Sequence, residues 1–180
     1  MKVKMIKNTP WLVPDSIEFL ALIFAEADLK GRQLKVIETG SGGSTLFFSM
    51  HAGSLLSFEH NRRWYNIVKT KLEKIEIEGI EKTKLSDLNI ELRFDPDYPR
   101  EGLRHIDKDY DIALIDGRGR VRSIASVVSH IKNGGWLILD NAERQRYRPA
   151  VKALNLAFKE KIVFEKDWTT TFWKIQNKKK

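Results

Sequence analysis

The run from Leu34 to Glu38 is short, apolar and strand-like, and it breaks directly into TGSGGST before an apolar pattern resumes at helical spacing from Leu46 to Met50. A strand, a glycine turn and a helix in that order are the first half of a βαβ unit, which a parallel strand must complete. Ser54 to Phe58, ending at Glu59, supplies that strand. The alternation then continues with a long amphipathic helix over Asn61 to Glu78 and a third strand from Ile90 to Phe94. A fourth strand, Asp111 to Ile115, ends in Asp116-Gly117 and is followed by a helix over Val121 to Ile131. After a Gly134-Gly135 turn, the fifth strand, Trp136 to Leu139, ends in Asp140-Asn141. Upstream, Asp15 to Lys30 has apolar residues at helical spacing, entered after Pro14 and stopped at Gly31. A last helix, opened by Pro149, covers Ala150 to Phe158. Lys161 to Lys166 and Thr169 to Ile175 are strands separated by a link so short that only an antiparallel hairpin can join them. The expected architecture is α/β, a three-layer sandwich around a mainly parallel sheet with an antiparallel C-terminal hairpin.

A chain of 180 residues, 42% hydrophobic and 31% charged, builds one compact core, so residues 1–180 are expected to form a single domain. Within it, 1–33 is an N-terminal segment with its helix, 34–176 the core and 177–180 a basic tail. The longest apolar run, Phe19 to Ala25, lies between Glu18 and Glu26 and falls far short of the ~20 residues a membrane span needs. The N-terminus lacks the apolar stretch of a secretory signal, so a cytoplasmic location without membrane partners is expected. There are no cysteines, which excludes disulfides, thiolate metal ligands and cysteine nucleophiles. The formal charge of +8 is concentrated in Lys2, Lys4, Lys7, Lys178, Lys179 and Lys180, which read as solvated ends. Arginine is placed differently: of twelve, six fall in two short stretches, Arg118, Arg120 and Arg122, then Arg144, Arg146 and Arg148.

In open sheets of this kind ligands bind beyond the carboxyl ends of the strands, and every distinctive motif of this sequence lies at that edge. The glycines of ETGSGGST let the backbone turn sharply and approach a ligand, and the helix behind them offers unpaired N–H groups. Glu59, 19 residues after Gly40 at the end of the next strand, is the acceptor expected to hold ribose hydroxyls. Glu38 adds a carboxylate two residues before the first glycine. It would face a cationic group rather than a pyrophosphate, which favours S-adenosylmethionine over NAD.

Through VIETGSGGST, the acid in SFEHNRRWY, DIALIDG and GGWLILDN, residues 34–176 resemble the class I S-adenosylmethionine-dependent methyltransferases. More narrowly, PWL, GSGGST, EH…WY, IDGR and TTTFW resemble a group of small bacterial and archaeal members. The resemblance implies a Rossmann-like methyltransferase fold with a seven-stranded sheet whose last strand is antiparallel. It also implies that Glu38, Gly40 and Gly42 contact the methionine part of the cofactor, that Glu59 takes the ribose, and that His60 and Asp95 flank the adenine. Ser44 stands where many members have a third glycine, and adds a hydroxyl donor.

Asp116 and Asp140-Asn141 end adjacent strands, so their side chains can converge beside the reacting methyl. Two readings stand. Three hard oxygen ligands suit Mg2+, as in the magnesium-dependent catechol and caffeoyl-CoA O-methyltransferases, which this trio resembles. Alternatively, Asp116 orients the substrate or binds the cofactor ammonium as the catalytic-edge carboxylate, while Asp140 and Asn141 cap their loop. Arg118 lies near the place of the lysine expected in that family, and an arginine cannot act as a base. The arginine stretches follow both strand ends and favour a small anionic substrate, with Arg118, Arg144 and Asn141 as candidate contacts. An RNA methyltransferase, or a nucleic-acid-associated module that binds the cofactor without turnover, is the alternative, resting on the same arginines and the lysine tails. The aromatics of the final hairpin, Trp168, Phe172 and Trp173, read as sheet-face packing, and Trp11 as a candidate lid.

Overall fold

The computed structural model describes residues 8–77, 89–107 and 109–176. The lysines of both tails and Glu78, at the end of the expected second long helix, lie outside the described residues. Seven strands form one sheet: β1 (Lys35–Thr39), β2 (Ser54–Glu59), β3 (Asn89–Phe94), β4 (Tyr110–Ile115), β5 (Ile131–Asp140), β6 (Lys161–Glu165) and β7 (Thr169–Lys174), in the order β3-β2-β1-β4-β5-β7-β6. The first five are parallel, and β7 runs antiparallel between β5 and β6. The flanking helices are α1 (Pro14–Leu29), α2 (Gly43–His51), α3 (Arg62–Ile77), α4 (Arg120–Val127) and α5 (Arg148–Ala157).

Side chains of the central strands alternate between two cores, as a period of two requires when both faces are covered. Ile37, Ala113, Ile115, Leu137 and Leu139 face Ile124, Val127, Ala150 and Leu154 of α4 and α5. Val36, Ile112, Leu114 and Ile138 face Leu20, Phe24, Phe47 and Phe48 of α1 and α2. The sheet is thus the middle layer of a sandwich, and its polar groups can gather only at the strand ends. No helix among the described residues is long and apolar enough to cross a membrane.

One boundary differs from the sequence expectation. The helix after β4 ends at Val127, a single 3₁₀ turn covers Val128–His130, and Ile131 already belongs to β5. The reason is pairing: Ile131 is buried opposite Tyr110, while Ile112 pairs with Trp136, so residues 132–135 bulge out of the ladder. Gly134-Gly135 therefore lies inside the strand rather than before it.

Candidate active site

Glu38 ends inside the protein, not on its surface. Its carboxylate is 0% exposed and accepts hydrogen bonds from the hydroxyls of Ser44, Thr45 (2.6 Å) and Ser57 (2.7 Å). Thr45 Oγ1 in turn accepts from Gly42 N at 2.8 Å. One buried acid thus fastens the start of α2 and the neighbouring strand β2 beneath the glycine turn. Burial pushes its pKa up to about 7, against the opposing pull of the three hydroxyls.

Above that anchor, the turns after β1 and β4 meet. Gly40 has φ +90°, and a Cβ on it would lie 2.5 Å from Gly117 Cα. A Cβ on Gly117 would lie 2.7 Å from Gly40 N and collide with the Tyr98 hydroxyl. Only two glycines allow this crossing, and sequence reading recognised just the first of them.

Glu59, 3% exposed, closes a ring of hydrogen bonds around the turn. Its Oε2 accepts from Ser41 N and Ser41 Oγ, both at 3.1 Å, and its Oε1 from Asn61 N at 2.7 Å. Asn61 Oδ1 caps α3 through Trp64 N (3.0 Å), and Trp64 Nε1 donates back to Ser41 O at 2.6 Å. These residues line a cleft of about 490 Å³ together with Gly40, His60, Asp116, Gly117 and Arg118, a volume in the range of small-molecule sites. His60 Nδ1 lies 3.1 Å from Glu59 Oε1 yet makes no hydrogen bond, so a buried polar atom at the cleft is left without a partner. A glycine turn at close approach, a held carboxylate and an unpaired ring nitrogen suit a polar nucleoside. Of the expected cofactor residues, Gly40, Glu59 and His60 line this cleft. Glu38, Gly42, Ser44 and Asp95 do not: the first three support the turn, and Asp95 Oδ1 accepts from Asp97 N at 2.8 Å in a local turn.

Asp116 stands in the cleft wall across from Glu59, with 30% of its side chain exposed. Burial of its carboxyl, with the nearby Asp140 and Glu38 carboxylates adding to the effect, pushes its pKa up to about 7 although Arg120 opposes the shift. The trio Asp116, Asp140 and Asn141 does converge, but around a guanidinium. Arg120, 7% exposed, reaches Asp116 Oδ1 (2.6 Å), the Asp116 carbonyl (2.5 Å), the Asp140 carbonyl, Asn141 Oδ1 (3.5 Å) and the Gly117 carbonyl (3.2 Å). Asp140 Oδ1 is taken by Trp168 Nε1 (3.1 Å) and Thr170 Oγ1 (2.9 Å), so Trp168 does more than pack. A Mg2+ site is not shown: Arg120 binds Asp116 Oδ1 and lies 3.5 Å from Asn141 Oδ1, Asp140 Oδ1 is bonded to Trp168 and Thr170, and no metal-binding group of acids and histidines is found among the described residues. Alternate arginines after a strand read alike in sequence, which hid the buried one.

The remaining arginines separate. Arg118, Arg122 and Arg146 line a groove of about 480 Å³ that shares Gly117 and Arg118 with the cleft. Arg144 lines neither space and lies 3.8 Å from Glu143, and Asn141 is occupied with Arg120. Trp11 is exposed and does not line the cleft.

No family model matches the chain, and no curated protein matches it. Solved structures do. A methyltransferase-like protein from Silicibacter pomeroyi superposes with a TM-score of 0.67 at 16% identity, covering 96% of this chain and 91% of that one. An S-adenosylmethionine-dependent O-methyltransferase from Thermotoga maritima gives 0.66 at 14% identity, over 93% of this chain and 67% of that one. A Streptococcus mutans protein in complex with S-adenosylhomocysteine gives 0.58 at 13% identity, over 87% and 97%. The chain has the Rossmann-like fold of the class I S-adenosylmethionine-dependent methyltransferases.

Proposed function

We propose that the chain is an S-adenosylmethionine-dependent methyltransferase acting on an oxygen or nitrogen of a small anionic substrate. The observation that carries this reading is the single cleft that joins the glycine turn after β1 and Glu59 on one side to Asp116 on the other. S-adenosylmethionine, when bound, supplies an electrophilic methyl group. Gly40 and Ser41 would approach it with backbone, and Glu59, already held by Ser41 and Asn61, would accept from ribose hydroxyls through the capacity left on Oε1. His60, which lines the same cleft, would face the nucleoside. Asp116 would orient the acceptor, and a carboxylate with a pKa near 7 can take up the proton that an acceptor hydroxyl or ammonium gives up. Arg120 fixes that carboxylate from behind. Placement of the acceptor in line supplies much of the rate, so no stronger base is required.

Calorimetry of the protein with S-adenosylhomocysteine and with NAD tests the reading. Saturable binding of the first and none of the second is expected. Binding of NAD with no binding of S-adenosylhomocysteine would overturn it. Turnover is expected to be indifferent to chelator, because Arg120 takes the oxygens a metal would use.

A further inference from the structure

We infer that the groove formed by Arg118, Arg122 and Arg146 is a phosphate subsite, so that the methyl acceptor is a phosphate-bearing molecule whose anion is held beside the cleft. This rests on the methyltransferase reading for the word acceptor, though not for the subsite itself.

The first observation is a concavity shared by three arginines with no free acid among its lining residues. Several other arginines have carboxylate partners: Arg32 with Asp111 at 3.0 Å, Arg100 with Asp97 at 3.7 Å, Arg104 with Glu101 at 3.4 Å and Arg144 with Glu143 at 3.8 Å. Arg118, Arg122 and Arg146 have none among the described residues, although they share one concavity. Three guanidinium groups so close repel one another, and an acid among them would relieve the repulsion. The groove walls supply none that is free: Gly117, Gly119, Val121 and Tyr147 complete them, and Arg120 in the floor is committed to Asp116. Tyr147 instead places its ring 4.9 Å from the Arg146 guanidinium, which orients that group without neutralising it.

The second observation is the backbone. Residues 119–122 are the first turn of α4, whose N-cap is Gly119 with no side-chain cap, and all four line the groove. The uncapped N–H groups and the positive end of the helix dipole favour the same sign of ligand as the arginines. A monocarboxylate would neutralise one of three cations. A phosphate, with up to two charges and three terminal oxygens, matches forked donors arriving from two loops. The loop after β4 and the loop after β5 would then both close on the anion, and both begin at residues held by Arg120.

The geometry also fixes direction. Gly117 and Arg118 border both spaces, so an anion in the groove places the rest of the molecule toward Asp116. A phosphate can come from a small phosphomonoester or from an RNA backbone, and the test separates the two.

The protein is titrated by calorimetry with inorganic phosphate and, at equal ionic strength, with acetate, then with uridine monophosphate and with an oligouridylate of ten nucleotides. Arg122→Gln/Arg146→Gln is the variant, since neither residue lines the cofactor cleft and both are exposed. Phosphate is expected to bind saturably and at least about tenfold more tightly than acetate, and the double variant to lose at least about tenfold of it. Its melting temperature and S-adenosylhomocysteine affinity stay unchanged. Equal affinities for phosphate and acetate, or a variant that binds phosphate as well as the parent, would overturn the subsite. Failure of S-adenosylhomocysteine to bind the parent would instead strike the methyltransferase reading and leave the phosphate result to stand or fall alone. If the oligonucleotide binds no more tightly than the monophosphate, the source is a small molecule. Tighter binding that weakens with salt, with a slope of about −0.7 per contact, makes it an RNA backbone.

Discussion

At the scale of single residues, the site is built on ionisable groups that the fold has taken out of water. Glu38 has a folded pKa of about 7, above the 4.5 of an ordinary glutamate, so the folded state keeps a proton that the unfolded chain releases. Its contribution therefore favours the folded state below about pH 4.5 and is lost as pH rises from there to about 7, a change of about 3 kcal/mol. Glu38→Gln cannot ionise and still presents an acceptor to the three hydroxyls. Urea unfolding at about pH 5 and about pH 8 should show a loss of stability in the parent that shrinks by roughly that amount in the variant, and equal losses in both would contradict the assignment. Asp116 shifts in the same direction, so some slope is expected to remain. Arg120 is the opposite case, a buried cation whose removal strands two acids. Arg120→Met should cost about 3–5 kcal/mol, read as a lower urea midpoint, because the Asp116 and Asp140 groups lose their partner together. Neither role was legible beforehand. Sequence identifies an acid before a glycine turn and an arginine after a strand, and whether each ends in the cleft or beneath it depends on side-chain direction at a turn.

At the scale of elements, the glycine turn works because three segments lock it. Glu38 holds it from below, the Glu59–Asn61–Trp64 ring ties it to the start of α3, and Gly117 lets the turn after β4 lie directly against it. The strand and helix alternation was readable because apolar periodicity belongs to local sequence, and the order of β1 through β5 was recovered to within a few residues. The boundary at Ile131 was not, since it is set by pairing with Tyr110 twenty-one residues earlier in the chain. The meeting of Gly40 and Gly117 was hidden for the same reason, although Asp-Gly at the end of a strand is a visible trace of it. Gly117→Ala tests that contact. Its Cβ would meet backbone at Gly40 and the buried Tyr98 hydroxyl, neither of which can yield cheaply, so a loss of about 1–3 kcal/mol is expected from overpacking. Adding Tyr98→Phe removes the hydroxyl clash, together with the hydroxyl's hydrogen bond to Arg118 O, and leaves the Gly40 contact in place. Thermal unfolding should recover in part in the double variant, while S-adenosylhomocysteine affinity, which depends on where the Gly40 turn sits, should remain reduced. Full recovery of affinity would show that the Gly40 contact does not matter.

At the scale of the whole molecule, the sheet separates two jobs. The two apolar cores fill both faces of β1, β4 and β5, and the polar network of the cleft lies at the carboxyl edge, where Thr39, Glu59, Ile115 and Asp140 end their strands. That division explains why so much of the architecture could be read from apolar spacing and so little of the wiring at the edge, which joins residues far apart in the chain, such as Asp140 and Thr170 or Gly40 and Gly117. It also means that a ligand in the cleft touches the turns after β1 and β4 and the start of α3 at once, three segments already joined through Glu59, the Trp64–Ser41 bond and the Gly40–Gly117 contact. A ligand that bridges them binds the folded chain and has nothing comparable to bind in the unfolded one. Mass action then requires stabilisation of about 2.7 kcal/mol at a hundredfold excess over the dissociation constant. For a chain of 180 residues that amounts to a rise in melting temperature of about 5–10 °C. Differential scanning calorimetry across a series of S-adenosylhomocysteine concentrations should show the midpoint climbing with the logarithm of concentration, with no plateau once the site is full. A plateau at saturation, or no shift under conditions where binding is measured, would mean that the ligand also binds the unfolded chain or sits outside the cleft.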